Sequence, residues 1–155
     1  MNHGDANSVK IEYVQKSEDV LSLLEHFDSV FPHLKEKISS YAEYAEKLSR
    51  FAHVCVIKLE GELCGLLVYY ANDKETRTAY IALIGVMEKF QGRRIGQRLL
   101  EHCVERSLAY GMHRLNLEVD LDNEQAIRFY KKHGFCECGK KSYSSMYLTK
   151  SLLNL

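Results

Sequence analysis

The chain has 155 residues, 46% of them hydrophobic, and its 21 Lys and Arg balance 21 Asp and Glu. That length gives a prior of one domain with a core of its own, and the hydrophobic share excludes a disordered chain. The zero balance argues against a general nucleic-acid or membrane-surface role, since both need a basic excess, and no stretch reaches the roughly 20 apolar residues of a membrane span.

Residues 1–7 read as a frayed tail, and residues 1–9 are polar, without the apolar run of an export signal. Residues 9–14 alternate apolar and polar, as an edge or early strand does. Ser17 ahead of Glu18 and Asp19 reads as a helix start, and Val20, Leu21, Leu24 and Phe27 form its stripe. Pro32, the one proline, breaks that pattern and opens the next helix, which carries Leu34, Ile38, Tyr41, Ala45 and Leu48. Residues 27–44 are rich in aromatics and histidine. Most read as a core-facing stripe, while Phe31, His33, Tyr41 and Tyr44 are candidates for lining an acceptor pocket.

Residues 52–59 and 63–70 predict two strands joined by a hairpin at Glu60-Gly61, and Asn72-Asp73-Lys74 predicts another turn. Residues 79–86 are almost wholly apolar without alternation, as expected of a strand buried on both faces. After Gln91-Gly92-Arg93-Arg94-Ile95-Gly96, helical spacing puts Ile95, Leu99, Leu100, Cys103, Val104 and Leu108 on one face, and Gly111 stops the run. A strand, a glycine-bearing turn and a helix start make an anion site. Unpaired amides point outward there, the helix dipole favours negative charge, and Arg93 and Arg94 add positive charge. A phosphate-bearing ligand is therefore expected at residues 91–96. Basic residues also cluster at 93–98 and 128–141, which suits one small polyanion.

Residues 113–120 predict a second buried strand, with Leu115, Leu117 and Val119 on one face and Glu118 on the other. Asp or Asn at 122–123 caps the following helix and Gly134 ends it. Phe135 starts another strand, and residues 143–148 make the last. The strand–helix–strand passage through residues 93–119 implies a parallel pair inside an otherwise antiparallel sheet. Five scattered cysteines, an odd number, suggest a reducing cytosol and hence a cytoplasmic protein. Cys136 and Cys138, near His133, are separated by one residue, whereas zinc sites space their cysteines more widely and need four ligands, so no metal is expected.

This element order, the turn at Gln91 to Gly96 and the run Asn-x-x-Ala-x-x-Phe-Tyr-x-Lys-x-Gly-Phe from Asn123 to Phe135 resemble the GCN5-related N-acetyltransferase (GNAT) superfamily. The family's Gln/Arg-x-x-Gly-x-Gly/Ala signature is matched at Gln91 and Gly96. It is broken at Arg94, where the family has glycine, and Glu88 stands where many relatives have proline. The resemblance implies an α/β (α+β) fold over the whole chain: a mixed, mostly antiparallel sheet with a splayed parallel central strand pair, flanked by helices.

It further implies acetyl-CoA as acyl donor. The pyrophosphate would sit on the amides of Gln91, Gly92, Arg93, Arg94, Ile95 and Gly96, and the pantetheine arm would pair along Ile84, Gly85 and Val86. Gly85 would serve a strand bulge or mere close packing, and Asn123 would bond the cofactor arm while capping its helix. Moving an acetyl group to an amine needs a neutral amine, although a free alkyl amine has a pKa of roughly 10. It also needs a donor for the oxyanion, for which a backbone N–H near Val86 or Met87 is placed, and a donor for the leaving thiolate. Tyr130 matches the family tyrosine beside the sulfur. Glu118, in Leu-Glu-Val, matches the base of relatives that acetylate protein N-termini, and Tyr80 is a second pocket candidate.

The implied function is an N-acetyltransferase acting on a primary amine by direct attack in a ternary complex. Its partners are acetyl-CoA and a small-molecule or peptide amine, with no nucleic acid, membrane or metal, and dimers are common in the family. Arg94 keeps open a non-catalytic acyl-CoA-binding or regulatory domain. A nucleotide-binding module is disfavoured, because Gln97 follows Gly96 where a Walker-type lysine and Ser or Thr belong.

Overall fold

The computed structural model describes residues 9–139 and 143–153. The tail expected at residues 1–7, and Lys140 and Lys141 of the second basic cluster, lie outside the described residues. In chain order come β1 (Lys10–Val14), α1 (Ser17–His26), a 3₁₀ turn (Asp28–Val30), α2 (Leu34–Lys37) and α3 (Tyr41–Phe51). They are followed by β2 (His53–Leu59), β3 (Glu62–Tyr70), β4 (Thr78–Val86), a second 3₁₀ turn (Glu88–Phe90) and α4 (Ile95–Ala109). Last come β5 (Arg114–Asp120), α5 (Glu124–Lys132), β6 (Cys136–Glu137) and β7 (Ser145–Ser151). The seven strands lie in the order β1-β2-β3-β4-β5-β7-β6. β1–β2, β5–β7 and β6–β7 pair antiparallel, and β4–β5 pair parallel. The parallel register joins Thr78–Ile81 to Arg114–Leu117 and goes no further, while the strands run on to Val86 and Asp120. Among the described residues no helix is long and apolar enough to cross a membrane.

The chain forms two compact units, one of residues up to Val68 with Leu83–Glu101, the other of Tyr69–Ala82 with residues from His102 onward. In the first, α1 and α3 pack together and bury Val20, Leu23, Leu24, Phe27, Ala45 and Leu48. Lys16, not Ser17, occupies the N-cap of α1 and makes no capping bond, so the helix start rests on Glu18 and Asp19 facing the dipole. The single helix expected after Pro32 is two. Ile38 turns extended, and Ser40, also extended, caps α3 by accepting from the Glu43 amide at 3.0 Å. Ser39 Oγ donates to Glu43 Oε2 at 2.7 Å. Serine side chains that bond locally compete with helix continuation, and apolar spacing does not register this. The hairpin at Glu60-Gly61 has positive φ at both residues (51° and 81°), the conformation of a type I′ turn.

Two burial expectations are corrected. Continuous burial belongs to β3, where Cys64 to Tyr69 are all buried, and not to β4. In β4, Ala79, Ile81 and Leu83 are buried, Ala82 and Ile84 are half-buried and Tyr80 is 36% exposed, so the strand alternates and keeps one face partly open. An apolar composition does not say which side chains are covered. On α4, Leu108 is exposed and Val104 half-buried, while Ser107 is buried with its hydroxyl against Cys103 Sγ. In the second unit, Leu115, Leu117 and Val119 are buried and Glu118 is not. β7 starts at Ser145, later than expected, and Tyr143 is exposed.

Ser40→Ala removes the α3 cap and should lower unfolding stability by about 1 kcal/mol. The measurement is the urea midpoint against wild type at unchanged slope.

Candidate functional site

The turn after β4 is built from the backbone up. Gln91 (φ −66°, ψ 151°) followed by Gly92 (φ 85°) has the dihedrals of a type II turn, which needs a positive φ at its second central residue. Arg94 also has positive φ, 61°, and its carbonyl accepts the first helical bond, from the Arg98 amide at 3.1 Å. This is the position where the GNAT signature has glycine. The backbone keeps the glycine conformation there although an arginine occupies it, so the departure leaves the turn's shape intact and carries strain. Phe90 is buried beneath the turn, with the Arg93 guanidinium 5.4 Å and the Lys89 ammonium 5.5 Å from its ring centre. Lys89 also reaches Glu62 at 3.0 Å.

The first turns of α1, α3 and α5 carry acids, whereas the first turn of α4 carries none. Its unsatisfied amides therefore keep their positive end, beside exposed Arg93 and Arg94. Within residues 91–96, Ile95 is buried, Gly96 is half-buried and the other four are exposed.

Just before this turn, Ile84, Gly85 and Val86 are half-buried. A side chain on Gly85 would lie 2.5 Å from Val30 Cγ1 and 2.9 Å from Phe31 Cζ, so the glycine serves close approach of the 3₁₀ segment. Met87 is corrected as an oxyanion donor: its amide already donates to Cys64 O at 2.8 Å. That leaves Val86 as the candidate donor. Of the four acceptor-pocket candidates, Phe31 faces Gly85, His33 pairs with Glu36 at 2.8 Å, and Tyr41 donates to Asp28 at 2.6 Å. Tyr44 is half-buried on α3.

In the second unit the open face of β4 continues onto β5 and β7. Strand register puts Tyr80 beside Asn116, Asn116 beside Thr149, and Glu118 beside Tyr147. Ser145 Oγ donates a short hydrogen bond to Glu118 Oε2, Arg114 donates to Thr149 Oγ1 at 3.0 Å, and Thr149 donates to Asn116 Oδ1. Burial raises the Tyr80 phenol above its ordinary range, and the nearby Glu118, Tyr147 and Tyr70 raise it further. Ser145, Asn116, Thr149 and Tyr147 escaped the sequence reading. The period-two alternation of polar Ser145, Tyr147 and Thr149 with Met146 and Leu148 was the available signal.

Asn123 caps α5, its side chain accepting from the Ala126 amide at 3.2 Å. Tyr130 is 7% exposed and packs edge-on against Phe129 and Phe135. Burial pushes its phenol well above the ordinary tyrosine range, and the Cys103 thiol adds to the shift. Among the described residues the Tyr130 hydroxyl makes no hydrogen bond. No buried side-chain N or O atom among them is left unsatisfied, so this oxygen reaches the surface of the packed ring cluster.

A mixed α/β sheet whose one parallel pair is β4–β5, with a cationic turn leading from β4 into α4, defines the class of fold. Residues 20–135 match the acetyltransferase (GNAT) family, and the chain belongs to it. A Bacillus subtilis (strain 168) relative, provisionally named a ribosomal protein bS18-alanine N-acetyltransferase, is 31% identical over 128 residues, 81% of each chain. The mycothiol acetyltransferase of Jonesia denitrificans is 34% identical over 68 residues, and that match spans 44% of this chain and only 22% of the relative. In structure, PaiA N-acetyltransferase from Thermoplasma acidophilum in complex with coenzyme A shares the fold. Its TM-score is 0.73 at 18% identity, covering 93% of this chain and 99% of that one.

Arg94→Gly should relieve the left-handed backbone at the turn. Net of the freer unfolded chain, we expect a gain of roughly 1 kcal/mol, or about 2–4 °C in Tm, read by thermal unfolding.

Proposed function

We propose that this protein transfers an acetyl group from acetyl-CoA to a primary amine by direct attack in a ternary complex. The observation that carries this reading is Tyr130: a buried ring, a phenol held protonated, and a hydroxyl without a partner among the described residues. That is what a donor to a leaving thiolate needs. The names of the relatives, and the coenzyme A held by the Thermoplasma neighbour, support the same reading.

Acetyl-CoA, when bound, supplies a thioester carbonyl open to attack by an amine. The amides of Gln91 to Gly96, with Arg93 and Arg94, hold its diphosphate as charge-assisted donors. The backbone of Ile84, Gly85 and Val86 takes the pantetheine arm, and Asn123 donates to it through Nδ2 while Oδ1 caps α5. Glu118 accepts the proton of the incoming amine, which is mostly protonated at neutral pH. Ser145 orients that carboxylate, and Tyr80 and Tyr147 flank it. The Val86 amide bonds the carbonyl oxygen as its charge grows. Tyr130 donates to the departing sulfur, and its raised pKa keeps that donor present wherever the amine can react. The acceptor is a small-molecule amine or a peptide N-terminus. A cytoplasmic site of action belongs to the same reading, since all five cysteines are free thiols, as a reducing compartment keeps them.

Tyr130→Phe should retain coenzyme A binding and lose roughly 100-fold or more in kcat, measured as free thiol released from acetyl-CoA with an amine acceptor. Unchanged turnover would take Tyr130 out of the reaction. Acetyl-CoA at about 100 times its Kd should stabilise the folded chain by roughly 2.7 kcal/mol. An unmoved melting temperature at that concentration would leave the fold without its ligand.

A further inference from the structure

The space directly off β4 at Gly85 is filled from outside by Val30 and Phe31. These two side chains come so close that even a methyl group on the glycine would meet them, at 2.5 and 2.9 Å. The segment carrying them is fixed at several points. Phe27 is fully buried at its start and Leu34 is buried at its end. The Val30 amide donates to Phe27 O at 2.9 Å, the Phe31 amide to Asp28 O at 3.3 Å, and the Leu34 amide to Phe31 O at 3.1 Å. From α3, the Tyr41 hydroxyl donates to Asp28 Oδ1 at 2.6 Å, and Lys35 adds an ion pair to the same carboxylate at 3.4 Å. Val30 and Phe31 therefore form a held wall and not a loose loop.

We propose that Val30 and Phe31 limit the length of the acyl chain this enzyme transfers, admitting acetyl and rejecting longer chains, with Tyr41 acting through Asp28 as a positioning residue. The inference rests on the proposed transferase reading, which runs the thioester arm along Ile84, Gly85 and Val86. An acetyl group adds one methyl beyond the carbonyl. A butyryl group adds two further methylenes, and with the arm on that path they would run into Val30 and Phe31, which already lie against Gly85. The ligand class is thus a short-chain acyl-CoA, and selectivity comes from steric exclusion by two apolar side chains.

The test compares acetyl-CoA with butyryl-CoA in wild type and in Val30→Ala, Phe31→Leu and Tyr41→Phe, by kcat/KM for thiol release and by Kd from calorimetry. Val30→Ala should raise the butyryl-to-acetyl ratio by roughly tenfold or more, the scale at which a pocket senses a methylene. Phe31→Leu should raise it as well, and Tyr41→Phe by less. If folded Val30→Ala and Phe31→Leu proteins bind and turn over acetyl-CoA with the wild-type ratio, the wall does not set acyl length and the inference fails alone. If wild type binds neither thioester by calorimetry, the transferase reading fails and takes the inference with it.

Discussion

The structure depends on a constraint at one corner: the chain must leave β4 and enter α4 within a few residues while leaving its amides unspent. Two positive-φ residues, Gly92 and Arg94, make that possible. Without them the backbone would either continue extended or bond its own amides. Burial anchors the corner on both sides. Phe90 sinks beneath the turn, while Ile95 and Leu99 pack so tightly over Gly65 that a methyl there would lie 2.9 Å from each. The cations around Phe90 hold positive charge beside the helix start at little desolvation cost, because the Lys89 ammonium and Arg93 guanidinium lie over its ring while both residues stay exposed.

The element order was legible because each long element carries its own period. The Glu60-Gly61 hairpin and the parallel passage from β4 through α4 to β5 stand as read, and the α1 stripe does so except that Leu23 is buried where Leu21 was expected and Leu21 is half-buried. The misplacements share a physical cause, since in each a tertiary or local bond outweighed the pattern of apolar residues. Ser40 capped α3 and cut one predicted helix into two. Ser107 went inside where Leu108 was expected, because Cys103 lies one turn before it and gives the hydroxyl a partner. β4 reads as more apolar than it is covered, since Tyr80 stands beside the polar Asn116 of β5, which in turn stands beside Thr149 of β7.

The candidate site divides along the same line. Its local parts lie in contiguous motifs: the turn at residues 91–96 is legible from its glycines and arginines, whereas the roles expected of Asn123 and Tyr130 come from the resemblance of residues 123–135 to the family. The parts that escaped are pairings between residues far apart in the chain: Ser145 with Glu118, Thr149 with Asn116 and Arg114, and Val30 and Phe31 with Gly85. The strand pairings exist only once register is set, and a shift of one residue would send those side chains to the opposite face, whereas Val30 and Phe31 depend on how the 3₁₀ segment packs against Gly85. Spacing along one chain shows that Ser145, Tyr147 and Thr149 share a face, but not which residues they meet there. The substitution at Arg94 is the converse case: the sequence announced a difference, and the backbone absorbed it by adopting the glycine conformation at the expense of local strain.

A division of charge ties these features together. Among the described residues no Asp, Glu, Lys or Arg is buried, and Arg93 and Arg94 at the turn and Glu118 on β5 are exposed. The one buried acid of the proposed chemistry is neutral. Burying a carboxylic acid or an ammonium at the position of Tyr130 would push its pKa toward the uncharged form and make its protonation state hostage to small shifts in packing. A phenol is uncharged across the neutral range before it is buried, so burial among Phe129 and Phe135 only strengthens the state that donates. On the proposed reading, a donor in the core and a base at the surface follow from solvation alone. The core can hold a proton firmly, whereas the base must exchange its proton with water after every turnover.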